Sequence, residues 1–382
     1  MPRLAPALLR EARASHVLLP LLLRECRDLP SARNELRWLQ EHAHETHALP
    51  GRPDVPNKAL RNRSPTSDAV WTTLTHNAHR RAKGEPLQYI LGTQPFGDLQ
   101  ILCREGVLIP RPETEAYTAR LGSILKTARR INGKATPQED TLRILDLCTG
   151  TGCISLLLHS IMKPVGGKFR RRLKITAVDT SGEALALAQE NLEYNIGENF
   201  LDLSAVSDIT FRKASVFDIH DSLMGNVAGQ SSLGNTNFEV VISNPPYIAE
   251  KDYQPGGTTT RSVRNFEPKV ALVPNSNQTG DVSCEKRGFS IHDGDAFYRP
   301  LLDIAKKVKA SIVVFETGDH HQALRVHRMA KDMLRSDGLP AIVEVWDDDG
   351  SVIELANAAR HRARSVVIWT GDAAHLRKTE EG

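Results

Sequence analysis

The sequence predicts an α/β fold: a seven-stranded, doubly wound sheet with an antiparallel last strand, behind a small N-terminal helical domain. Three observations carry this. From Arg143 onward, short apolar runs alternate with helical periodicity. The first run leads into a glycine-rich turn, Asp146-Leu147-Cys148-Thr149-Gly150-Thr151-Gly152. About the first 84 residues show helical spacing instead.

In that first part, Leu18, Leu19, Leu22 and Leu23 are followed by Leu36, Leu39 and His42, with Pro30-Ser31 between them as a helix stop and cap. Residues 49–66 are rich in Pro, Arg and Asn and read as a loop, and a helix follows over 68–83, capped by Ser67 or Asp68. Residues 99–102 and 107–109 flank Arg104-Glu105-Gly106, the pattern of a β-hairpin. Pro110-Arg111-Pro112 forces an extended path into a helix that ends near Thr127. Strands are then expected at 144–147, 175–178, 209–212, 240–243, 311–316, 342–346 and 365–370, with helices at 153–161, 182–194, 295–308 and 320–334. Three polar stretches, 129–140, 225–237 and 275–291, interrupt the alternation as surface insertions. The basic run 168–174 reads as a solvated loop. The expected domains are 1–84 (helical), 85–115 (hairpin linker) and 116–372 (sheet), with a tail at 373–382.

At 382 residues the chain is comfortable for two domains, and 40% apolar with 25% charged residues is ordinary for a soluble globular protein. A net charge of +3 does not argue for a nucleic-acid or membrane surface. The five cysteines are scattered without a CxxC pair, which argues against a disulfide framework or structural zinc and for a reducing compartment. The fourteen histidines show no metal-ligand spacing, and His320-His321 reads as a helix start. The apolar run 17–23 contains Pro20 and is too short to span a bilayer. Arg3, Arg10, Arg13 and Arg24 against Glu11 give the first 24 residues the look of an organelle-targeting segment, or equally of an ordinary amphipathic helix.

Chemistry concentrates at strand ends. Cys148 to Gly152 follow the first strand, where glycines let backbone approach a ligand and the next helix presents free N–H groups. Ser155 stands where a dinucleotide fingerprint would have its third glycine, and Asp146 lies on the strand itself. That favours a nucleoside with a carboxylate tail over a pyrophosphate. Asp179 ends the second strand, placed to accept from ribose hydroxyls, since Thr180 or Ser181 can cap the next helix. Ser215 and Val216 end the third, where a base would be flanked. The fourth ends in Asn244-Pro245-Pro246-Tyr247. Two prolines cannot extend the ladder and stiffen the turn, leaving Asn244 at the carboxyl end of the strand.

Together these motifs resemble a class I S-adenosylmethionine methyltransferase acting on a planar nitrogen. Residues 86–92 (Pro-Leu-Gln-Tyr-Ile-Leu-Gly) and 108–115 (Leu-Ile-Pro-Arg-Pro-Glu-Thr-Glu) narrow the resemblance to the HemK/PrmC family, the release-factor glutamine N5-methyltransferases, over about 68–370. The resemblance implies S-adenosyl-L-methionine as cofactor and the glutamine of a release factor's Gly-Gly-Gln loop as substrate. It implies that Cys148 to Gly152 (with Thr149, Gly150 and Thr151) wrap the methionine part of the cofactor, that Asp179 holds the ribose, that Asp146, Ser215, Val216 and Asn244 also belong to the cofactor-binding set, and that Asn244 binds the substrate amide. Arg111 and Glu113 lie near the site. Ser215 replaces the acid usual beside the adenine, and Asp218 is no obvious substitute. The family's Glu-Pro appears as Glu267-Pro268, and its Asp-Gly-Leu as Asp293-Gly294-Asp295 after an insertion.

An amide nitrogen is a poor nucleophile because its lone pair is delocalised. Two acceptors on its two N–H bonds, Asn244 Oδ1 and the Pro245 carbonyl, would aim that lone pair at the methyl group. Tyr247 would cover the amide plane, and Pro246 would keep the turn stiff. The expected enzyme is a monomer with no membrane and no nucleic-acid target, mitochondrial or alternatively cytoplasmic. The same turn would serve a nucleic-acid amino methyltransferase for adenine N6 or guanine N2. A non-catalytic binding protein that keeps the cofactor fold is the reading from another class.

Overall fold

The computed structural model describes residues 4–48, 67–128, 141–167, 169, 171–217, 237–274, 293–336, 341–355 and 361–380. The expected loop 49–66, the insertions 129–140 and 275–291, all of 225–237 but Asn237, and Asp218 lie outside the described residues. The chain forms two compact units, Met1–Thr93 with Thr260–Phe266, and Gln94–Thr259 with Glu267–Gly382.

The first unit is built on α1 (Pro6–Ser15), α2 (Leu19–Cys26), α3 (Leu29–Ala48), α4 (Ser67–Ala82) and the short α5 (Leu87–Leu91). The arginine-bearing start folds into α1 and α2 and turns Ala12, Leu19, Leu22 and Leu23 into this unit's core against Leu39 and Leu74. Each leucine so buried contributes about 1.5–3 kcal/mol. Pro30 is not a helix stop. The chain breaks earlier, at Arg27 with φ 68°, and Asp28 Oδ1 accepts from Ser31 N at 2.8 Å as the cap of α3. Pro30 then sits in the first turn, where no N–H is needed. A bidentate pair between Arg81 and Glu35, at 2.8 and 3.0 Å, ties α4 to α3. The segment Thr260–Phe266 joins this unit by donating from Arg261 and Ser262 to the carbonyls of Lys83 and Gly84, at 2.8 and 2.6 Å.

The hairpin is one strand earlier than expected: β1 (Thr93–Phe96) pairs with β2 (Leu99–Leu102). Residues 107–109 form no strand. Val107 is buried against Ala184 and Leu187, so its apolar character reflects packing and not pairing.

The large sheet comprises β3 (Thr141–Leu147), β4 (Arg172–Asp179), β5 (Ile209–Lys213), β6 (Val240–Ser243), β7 (Ile312–Glu316), β8 (Ala341–Trp346), β9 (Val352–Ile353) and β10 (Ser365–Thr370). Its order is β5-β4-β3-β6-β7-β10-β8-β9. All seven expected strands are present; the eighth, β9, is a two-residue edge. Pairing is parallel from β5 through β7, and β10 runs antiparallel to both β7 and β8. Arg172-Leu173-Lys174, expected in a loop, belong to β4, because Leu173 is buried and pairs with Leu142.

Helices α6 (Pro112–Thr127), α7 (Cys153–Met162) and α8 (Gly182–Gly197) pack against β3 residues Leu142 and Ile144. On the other face, α9 (Tyr298–Lys307) and α10 (His320–Ser336) pack on Leu145 and Val241. Two side chains of α8, Asn191 and Asn195, accept from the N–H groups of Leu102 and Gln100 at 2.6 and 3.0 Å, covering the edge of β2. In the expected tail, Ala373 and Leu376 are buried, and Arg377 pairs with Glu344. After β3 the chain winds outward through β4 and β5, then returns to the other side of β3 with β6 and β7. A crevice therefore opens at the carboxyl ends of β3 and β6, the switch point where open α/β sheets hold ligands.

Candidate active site

At that switch point lies a cleft enclosing about 790 Å³ of empty space, part of it open to solvent. Its floor is Cys148 and Gly150 from the β3 loop and Asp179 from β4; Asn244 and Pro246 stand at its side.

Asp146 builds the loop from behind. It is fully buried, and its Oδ2 accepts from the hydroxyls of Thr149 and Ser155 at 2.7 and 2.6 Å. Oδ1 has no hydrogen-bond partner among the described residues. Burial pushes this carboxyl up to about 6, against the pull of the two hydroxyls. Cys148, Gly150 and Gly152 have φ of 61°, 56° and 79°, so the loop is a run of left-handed turns. A Cβ on Gly152 would lie 3.1 Å from that of Ala188, so glycine also sets how closely loop and α8 pack. Of the expected loop residues, Cys148 and Gly150 face the cleft, while Asp146, Thr149, Thr151 and Gly152 are buried.

Asp179 is not left free, as the sequence suggested. Ser181 does cap α8, accepting from Ala184 N at 3.2 Å. Yet Asp179 Oδ2 takes the Gly150 N–H and Oδ1 the Ser181 N–H, both at 2.9 Å. Together with the Thr180 N–H, these groups hold Asp179 against the loop, and the acceptor capacity that remains faces the cleft. Burial raises its pKa, opposed by the N–H groups of Ser181 and Gly150. Ser215 and Val216 line the cleft; Ser215 Oγ accepts from Phe217 N at 3.1 Å, and Phe217 meets Phe297 edge-on at 4.8 Å.

The Asn244–Tyr247 turn is held from three sides. Asn244 Nδ2 donates to Thr114 Oγ1 at 3.2 Å. Thr114 Oγ1 donates to Glu316 Oε2 at 2.6 Å, and Tyr247 OH donates to Glu316 Oε1 at 3.1 Å. Glu316 is buried at the end of β7, and burial raises its pKa against the opposing bond from Thr114. Gln322 Nε2 donates to the Tyr247 carbonyl at 3.1 Å and to that of Gly294 at 3.0 Å. A Cβ on Gly294 would meet the Tyr247 carbonyl oxygen at 2.5 Å, and one on Gly318 the Tyr247 ring at 3.0 Å. Pro245 and Pro246 are buried, Asn244 and Tyr247 half-buried.

Arg111 and Glu113 do not line the cleft. Arg111 pairs with Glu267 Oε1 at 2.7 Å, and Glu267 Oε2 accepts from Ile109 N at 3.2 Å; the adjoining Pro268 lines the cleft. Glu113 lies 3.5 Å from Arg364.

A probable MRF1 mitochondrial N(5)-glutamine methyltransferase, mtq1 of Schizosaccharomyces pombe, is 32% identical over 97% of this chain and 97% of its own. The chain belongs to the N5-glutamine methyltransferase family. Within it, the Saccharomyces cerevisiae mitochondrial MRF1 N(5)-glutamine methyltransferase MTQ1 is 34% identical over 74% of this chain and 70% of its own. A release factor glutamine methyltransferase of Haemophilus influenzae is 34% identical over 56% of this chain and 62% of its own. Residues 22–92 match the PrmC N-terminal domain. The sheet, preceded in sequence by a helical region, is the class I methyltransferase architecture the sequence led us to expect.

Sequence reasoning missed Glu316, Thr114 and Gln322 as parts of this family site. The register shows how Glu316 comes there: Ser243 stands opposite Phe315, so the acid after Phe315 falls beside Asn244. Sequence reasoning also missed Val107 and Leu108 as cleft wall, having spent them on a strand.

Proposed function

We propose that this chain transfers a methyl group from S-adenosylmethionine to the side-chain amide nitrogen of the glutamine in a release factor's Gly-Gly-Gln loop. Family membership supports it, and one observation carries it: the glycine loop, Asp179 and Asn244 open into one cleft. The donors fit this cofactor. No atom lies within 4 Å of where a Cβ of Gly150 would be, which leaves room at the loop. The open acceptor sites of Asp179 suit a ribose diol, and Val107, Ala184, Val216 and Phe297 form an apolar slot for a flat base without a carboxylate at Ser215. Bound there, S-adenosylmethionine supplies an electrophilic methyl group.

The chain's residues then orient the acceptor. Asn244 Oδ1 and the Pro245 carbonyl take the two amide protons, which directs the nitrogen lone pair into the cleft. Pro246 holds the spacing of these acceptors, and Tyr247, tethered through its hydroxyl, walls the amide from water. Arg111 and Glu113, held by Glu267 and Arg364, support the turn from the neighbouring segment. The mitochondrion is its compartment, in keeping with the mitochondrial names of the two fungal relatives. It works as a monomer on a protein substrate.

The test incubates the full chain with methyl-labelled cofactor and a mitochondrial release factor, its Gly-Gly-Gln glutamine replaced by alanine in a second arm, and RNA and DNA in a third. Label on the native factor alone is expected. Equal label on the alanine variant, or label on nucleic acid, overturns the reading.

A further inference from the structure

We propose that Glu316, acting through Thr114, is the positioning residue that sets which end of the Asn244 amide faces the substrate. The proposal rests on the reading above that an N–H donor is the substrate group.

An asparagine side chain has a donor end and an acceptor end of nearly equal shape. A site that must accept a proton from a substrate –NH2 works in only one of its two orientations. In the other, two donors face each other. Something must therefore choose, and the choice is made behind the turn. An ionised carboxylate only accepts. Glu316 is 1% exposed, so water does not compete for it. Its two oxygens take one hydroxyl each, from Thr114 at 2.6 Å and Tyr247 at 3.1 Å. Thr114 has a single hydroxyl proton, and Glu316 holds it. What Thr114 can show to Asn244 is thus a lone pair, and Asn244 Nδ2 donates to it at 3.2 Å. The amide oxygen is left facing the other way. The chain of donors runs one way, from Asn244 to Thr114 to Glu316, and its direction is fixed by the acceptor at the end.

The same carboxylate orders the other end of the turn. Tyr247 OH spends its proton on Glu316, and its ring is seated against Gly318. The Glu316 carbonyl accepts from Tyr298 OH at 2.9 Å, which anchors the backbone that carries the carboxylate. One buried acid thereby aligns both the amide that binds the acceptor nitrogen and the ring beside it. None of these three groups, Glu316, Thr114 or Tyr298, lines the cleft, and neither does Tyr247, so their effect reaches the cleft through Asn244.

The test separates positioning from bulk. Thr114→Val keeps the shape and removes the hydroxyl; Thr114→Ser keeps the hydroxyl. With the full chain and the substrate the wild type methylates, Thr114→Val should lose at least tenfold in kcat. Its affinity for S-adenosylhomocysteine, read by calorimetry, should stay within threefold. Thr114→Ser should retain at least a third of wild-type kcat. Glu316→Gln puts a donor where one acceptor was, so Thr114 or Tyr247 must turn, and kcat should fall at least fivefold. Independently of any substrate, a chain labelled with ¹⁵N-asparagine reports the Asn244 side-chain amide, assigned by its disappearance in Asn244→Asp. Its two proton shifts should move in Thr114→Val and stay within line width in Thr114→Ser. Wild-type kcat in Thr114→Val, an equal loss in Thr114→Ser, or an Asn244 amide signal unmoved by Thr114→Val overturns the proposal. If the wild type leaves the release-factor glutamine unlabelled, the functional reading fails, and the amide signal still decides the relay.

Discussion

The two halves of the cleft are each organised by a buried carboxylate that takes two hydroxyls, and they differ in how. Asp146 receives both on one oxygen, from Thr149 and Ser155, residues three and nine positions along the chain. Glu316 receives one on each oxygen, from Thr114 and Tyr247, 202 and 69 positions away. The first is a local device that shapes a loop. The second is a meeting of distant segments that sets the direction of hydrogen bonds. The Asp146 arrangement is thus made within one strand-turn-helix unit, whereas the Glu316 arrangement depends on β6, β7 and α6 arriving together.

That contrast is open to attack. The largest effect should come from Asn244→Ala: kcat lower by about a thousandfold, with S-adenosylhomocysteine affinity within tenfold, because orientation of the reacting nitrogen is lost and the loop is untouched. Comparable loss of affinity would mean the halves are not separable. Gly294→Ala drives a Cβ into the Tyr247 carbonyl. Single-turnover rates should drop by about fiftyfold with the cofactor affinity kept, since a displacement of this kind at the turn misplaces the acceptors. For Asp146 the sign follows from its raised value. The neutral form is favoured in the fold, so this group's contribution to stability is present below pH 3.8 and lost as pH rises through about 6. Relative to Asp146→Asn, the wild type should gain about 2 kcal/mol in urea unfolding between pH 7.5 and 4.5. A parallel pH course for both proteins would remove Asp146 from the comparison. Smallest, Asp179→Ala should weaken S-adenosylhomocysteine about tenfold by calorimetry while kcat at saturating cofactor changes less than threefold.

The same contrast explains what was legible in the sequence. The strands were, because period and apolar runs report burial directly; β6 and β10 fall on the expected residues. The places of Asp146, the glycines, Asp179 and Asn244 were legible because each lies within a few residues of a strand end. The hairpin was shifted by one strand because residues 107–109 are apolar for the sake of α8 and the cleft, and alternation does not say what a residue is buried against. Pro30 was misread because a proline breaks a helix interior but suits its first turn equally well. Asp179 looked free because a side-chain bond to the backbone of Gly150, 29 residues away, leaves no local trace. Glu316 was seen only as the end of a strand, and its role exists in the register of β7 against β6.

The position of β10 carries a consequence for how the molecule is made. It is the last strand in the chain, yet it lies inside the sheet, between β7 and β8. Ser365 pairs with Glu316 itself, and Thr317 N–H is received by the Arg364 carbonyl at 2.7 Å. During synthesis the strand that bears Glu316 has an open edge until residues 365–370 have left the ribosome. The loop that Asp146 shapes draws on β4, α8, β5 and β6, all of which precede β10 in the chain. A chain that ends before β10 lacks the partner of the strand that carries Glu316, while every hydrogen-bond partner of Asp146 is already made.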